Sequence, residues 1–312
     1  MSSKHEEWRR TQLPFGGVFK AQFNIDDTLS NEEADLNKAT SDIKPSQHEI
    51  YRPSSSDGIQ RLRENPIRVQ EGSPWHIYKK RYDLTLGENV LVSQLRTTEP
   101  NLNRRLYAIR SFDAPDARRK VQILQKVRHE SFINISHVFL EGPTCYTISE
   151  LDEISLFEFC KPKFNLTETQ LAAIIYQLLQ GIEFLSSQNL QLGLLTCSHV
   201  VVSRWGVVKI ANPQDCSSQT SLQKHHVAGD ALQLQGILLT LMEKSEPEEL
   251  PAEPTRPHKW SPSLVEFSNS LPYRGPAELL QDHFLLGAPD RAELAWIVSL
   301  TKIAVHIRYD YK

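Results

Sequence analysis

Histidines, cysteines and acids are the residue types from which a metal centre, a nucleophile or a general base is built, and this chain arranges them sparsely. His225 and His226 are adjacent. Neighbouring histidines on a helix or strand cannot face one ion, and no third ligand follows at a suitable spacing, so the pair implies no metal centre. Cys145, Cys160, Cys197 and Cys216 contain no C-x-x-C pair. They read as reduced structural thiols rather than a disulfide framework. Glu88, Glu150, Asp215, Arg110 and Lys120 carry charge, yet no spacing argument brings Glu88 and Asp215 together.

The elements that would position any such group are legible from periodicity. Residues 166–187 place Leu171, Ile174, Ile175, Leu178, Leu179, Ile182 and Leu185 at three- and four-residue steps. That pattern predicts a helix with one apolar stripe against a core. Thr167 and Gln170 predict a capping box at its start. Past Asn189 the residues turn β-branched: Val200, Val201 and Val202, then Val207, Val208 and Ile210, flank 203–206 as a hairpin. Upstream, 82–94 predicts two strands around Gly87-Glu88-Asn89, and 105–110 a third. A helix over 117–128 precedes two more strands at 132–141 and 144–151, which close a five-stranded sheet. Downstream, 243–258 is a charged, proline-rich loop. The tail from Pro289 carries a helical stripe, Leu294, Ile297, Leu300, Ile303 and Ile307 with Trp296 beside it. It packs on the helical part or serves a partner.

A long helix, a short loop, a β-hairpin and a polar exit, in that order and spacing, resemble the catalytic core of the protein-kinase family. In that family the loop reads H-R-D-L-x-x-x-N and the hairpin exits into D-F-G. Here 192–199 reads LGLLTCSH and the exit reads Asn212-Pro213-Gln214. By this resemblance Leu194 stands for the catalytic Asp, Thr196 for the loop lysine, His199 for the second metal ligand and Asn212 for the metal-binding Asp. An aliphatic side chain neither accepts a proton nor orients a hydroxyl. An amide gives up the anionic charge that hard Mg²⁺ favours, and imidazole is a poor partner for it.

The upper part resembles the family more loosely. Residues 105–110, RLYAIR, resemble V-A-I-K, with Arg110 at the phosphate-pairing lysine. Lys120 falls where the next helix should supply that lysine with a glutamate. Both bases read as solvated or paired elsewhere. Of G-x-G-x-x-G only Gly87 is kept, with Asn89 and Val92 at the other glycine positions. The resemblance makes Ser149 a small gatekeeper, Glu150 and Leu151 part of the hinge, Val201 the floor and Gln94 the roof. Gly87, Ala108, Arg110, Ser149, Glu150, Leu151 and Val201 would then form the nucleotide pocket, expected filled or collapsed. Arg274 matches a family arginine without its usual acidic partner, so it pairs otherwise. The short stretch from Gln214 to Asp230 holds no A-P-E, which leaves no peptide-substrate platform.

The chain's 312 residues are 39% hydrophobic with a formal charge of -3. That allows one or two domains with a sizeable core and gives no reason to expect nucleic acid or an anionic membrane as partner. Neither a bilayer-length apolar run nor a signal-peptide h-region is present, so an intracellular protein, cytoplasmic or nuclear, is expected. Residues 1–75, with Pro14, Pro45, Pro53, Pro66, Pro74 and a serine run at 54–56, read as a largely disordered arm. The expectation is an α+β, protein-kinase-like bilobal fold. It has a five-stranded antiparallel N-lobe over 76–151, a mostly helical C-lobe over 152–286 and a C-terminal helix over 287–312. The resemblance implies a pseudokinase: a scaffold or allosteric regulator of other proteins, among them an active kinase or signalling component. It implies no required cofactor, no magnesium and a degenerate ATP pocket. The alternative is a divergent kinase-fold phosphotransferase that binds ATP through non-standard residues.

Overall fold

The computed structural model describes residues 66–86, 88–96, 105–113, 115, 117–218, 227–244, 254, 256–286 and 291–308. The arm up to residue 65, Gly87, His225-His226 and loop residues 245–253 lie outside the described residues.

The fold is α+β. Strands β1 (Arg68–Glu71), β2 (Tyr78–Leu86), β3 (Glu88–Leu95), β4 (Tyr107–Asp113), β5 (Ile135–Glu141) and β6 (Thr144–Glu150) form one sheet, ordered β1-β5-β6-β4-β3-β2. The last five pair antiparallel. β1 corrects the expectation. It pairs parallel with β5, Arg68 opposite His137, so the sheet is six-stranded and mixed rather than five-stranded and antiparallel. All four β1 residues are exposed, and a strand with no buried face carries no period-two signal in its sequence. Backbone pairing to the edge of β5 holds it there. Between β4 and β5, α1 (Ala117–Lys126) turns Val121 and Leu124 into the apolar cluster that also takes Ile135, Val138 and Cys145.

The helical part follows. After β7 (Ile154–Ser155) come α2 (Glu168–Ser187), β8 (Leu190–Gln191), the hairpin β9 (Val200–Val202) and β10 (Val208–Ile210), and β11 (Ser217–Ser218). Then come α3 (Val227–Glu243), α4 (Pro262–Ser270), α5 (Pro276–Leu279), α6 (His283–Leu286) and α7 (Ala292–Arg308). The capping box forms as predicted. Thr167 Oγ1 accepts from Gln170 N at 3.2 Å, and Gln170 Oε1 accepts from Thr167 N at 3.0 Å. The stripe of α2 centres the largest apolar cluster, packed with Leu234, Ile237 and Leu238 of α3 and Leu294, Ile297 and Val298 of α7. Each such side chain contributes about 1.5–3 kcal/mol through burial. The predicted stripe on α7 divides: Leu294 and Ile297 are buried, whereas Leu300 and Ile303 are exposed together with Trp296. Arg274 pairs with Glu278 at 2.7 Å and with Asp282. No helix among the described residues is long and apolar enough to cross a membrane.

Candidate functional site

Strand pleating puts Ala108 and Arg110 of β4 on one face, opposite Ser149 and Thr147 of β6. Arg110 is 5% exposed and donates from Nη1 to Ser149 Oγ at 3.3 Å. Ala108 and Val201 are fully buried and share one apolar cluster with Leu86, Val90 and Ala211; Leu84 and Leu151 pack against it half-buried. Glu150 is exposed at the end of β6.

Gln94 does not roof this cluster. It lies near the exposed end of β3, where its Oε1 accepts from Arg81 Nε at 2.6 Å. Val90, 1% exposed, packs into the cluster instead. The β3–β4 register sets this: Val92 lies opposite Ala108, and Val90 is carried one step further along the same face. Periodicity within β3 does not report that register.

The loop before β9 is tied at both ends. Asn212, 3% exposed, donates from Nδ2 to the Leu194 carbonyl at 2.9 Å, while its own Oδ1 is buried with no hydrogen-bond partner among the described residues. The Leu194 side chain is 64% exposed. Thr196 caps the turn Cys197–His199: its Oγ1 accepts from Ser198 N at 3.3 Å, and His199 Nδ1 accepts from Thr196 N at 3.2 Å. A ring nitrogen that accepts a backbone N–H is committed to that bond. From α3, Asp230 Oδ2 accepts from Leu192 N at 3.2 Å. Burial pushes the Asp230 carboxyl up to about 6, against the lowering effect of that bond.

Asp215, a loose acid in the sequence, finds its partner only in the fold. Lys120 Nζ lies 3.1 Å from Asp215 Oδ1 and 5.1 Å from the centre of the Phe112 ring. Gly193 makes room for this segment, since a Cβ there would stand 2.7 Å from the Asp215 carbonyl oxygen. Burial pushes the Cys216 thiol up to about 12, with Asp230 and Asp215 adding to it, and the Cys145 thiol up to about 11. Cys197, fully buried, is also raised well above the ordinary range. These thiols stay protonated at neutral pH and are not nucleophiles. Among the described residues, no group of three His, Cys, Asp or Glu could hold a metal ion.

Two open grooves flank this region. One of about 700 Å³ is lined by Tyr82, Tyr107, Glu150 and Trp205. A second of about 580 Å³ is lined by Leu84 and Leu86 of β2, Ile154, and Ile303 and Val305 of α7. Glu153 borders both and pairs with Arg204 at 2.8 Å and with Lys302. Burial pushes its carboxyl up, but the two cations outweigh that and hold it below the usual carboxylate range. Sequence reasoning missed α7 as a wall of this groove.

No family model matches the chain. Parts of it are similar to plant protein kinases. It is 26% identical over 113 residues to mitogen-activated protein kinase 16 of Arabidopsis thaliana, covering 35% of this chain and 18% of that one. It is 32% identical over 82 residues to mitogen-activated protein kinase 9 of the same plant, covering 25% and 16%. With the serine/threonine-protein kinase TIO it shares 25% identity over 148 residues, covering 46% and 10%. The chain thus spans less than a fifth of the length of each of these relatives. These partial matches point to a distant protein-kinase relationship.

Proposed function

We propose that this chain is a catalytically inactive, bilobal protein-kinase-like domain, a pseudokinase that acts inside the cell as a scaffold or allosteric regulator. Its partners are proteins, of which an active kinase or another signalling component is the first to test. The observation that carries this reading is the packing of residues expected to line the nucleotide pocket. Ala108, Val201, Leu86 and Val90 pack together as core, at most 4% exposed, where an adenine would need open space.

The loop residues add to this support. Phosphoryl transfer needs a group that orients the attacking hydroxyl and oxygen ligands that hold Mg²⁺. Leu194 offers neither, Asn212 is turned to the Leu194 carbonyl, and His199 is committed to Thr196. Arg110, buried against Ser149, replaces a phosphate contact with an internal one. No ATP or magnesium is required for such a role.

The test is a thermal-shift titration with ATP, once with Mg²⁺ and once with EDTA. A ligand that binds only the folded state at a hundred times its Kd stabilises it by about 2.7 kcal/mol, which such an assay resolves. The expected result is no shift in either buffer. A shift that needs Mg²⁺, with phosphate transfer abolished by Arg110→Ala, would overturn the proposal in favour of a divergent phosphotransferase.

A further inference from the structure

We draw no further inference here: the strongest candidate, the apolar groove of about 580 Å³ between β2 and the last turns of α7, walled by Leu84, Leu86, Ile154, Ile303 and Val305, carries nothing because nothing in the structure shows what covers it.

Discussion

Gly206 sits in the turn between β9 and β10 at φ +76, the left-handed region that side chains avoid. A Cβ built there would lie 2.0 Å from the carbonyl oxygen of Arg291 and 2.9 Å from Cβ of Leu294, at the start of α7. Gly142, in the β5–β6 turn, has a similar φ of +59 but meets nothing within 4 Å. The two glycines therefore separate backbone strain from packing. Gly142→Ala should cost only the left-handed penalty, about 1–2 kcal/mol. Gly206→Ala pays the same penalty and must also push the first turn of α7 away by more than about 1 Å, since carbon–oxygen contacts normally begin near 3.3 Å. That displacement withdraws Leu294, 0% exposed, from the core, at a further cost of about 1.5–3 kcal/mol. The expected total for Gly206→Ala is about 2.5–5 kcal/mol. Urea unfolding followed by circular dichroism and tryptophan fluorescence measures both variants against the wild type. Equal losses in the two would refute the reasoning, because they would mean that α7 does not press on this turn.

Lys120 and Asp215 are each about a third exposed, so Lys120→Ala should cost less than about 1 kcal/mol. The reversed pair Lys120→Asp with Asp215→Lys should recover most of it, and a double-mutant cycle in low and high salt measures the coupling. Asp230 makes stability depend on pH. Its folded pKa of about 6 lies above the usual 3.8, so the folded state holds a proton that the unfolded state has lost, and this contribution falls as pH rises from about 4 to 6. Relative to Asp230→Asn, the wild type should gain about 2–3 kcal/mol between pH 7 and pH 4; parallel melting curves would sink that expectation. Thr167→Ala removes one arm of the capping box and should destabilise the protein by about 1 kcal/mol in chemical denaturation.

Local chemistry was readable without the fold. The stripe and capping box of α2 and the valines of the β9–β10 hairpin depend on residues a few positions apart, and periodicity reports such neighbours directly. So did the residue types at Leu194 and Asn212, which exclude a catalytic base and an anionic metal ligand whatever surrounds them. Other features rested on contacts between distant segments. β1 is a strand because β5 offers it an edge, and nothing in its four exposed residues says so. Val90 rather than Gln94 enters the apolar cluster because β3 pairs with the separate strand β4 in a register that sets Val92 opposite Ala108. Lys120 meets Asp215 across 95 positions, and only the packing of α1 against the chain beyond β10 joins them. On α7 the period established a helix, but a stripe broad enough for two faces does not say which one is buried. The close approach of Gly206 to Arg291 and the packing of Leu294, Ile297 and Val298 on α2 turned one side inward. Trp296, Leu300 and Ile303 were left facing out, because a helix of fixed pitch that buries one set of side chains must expose the other.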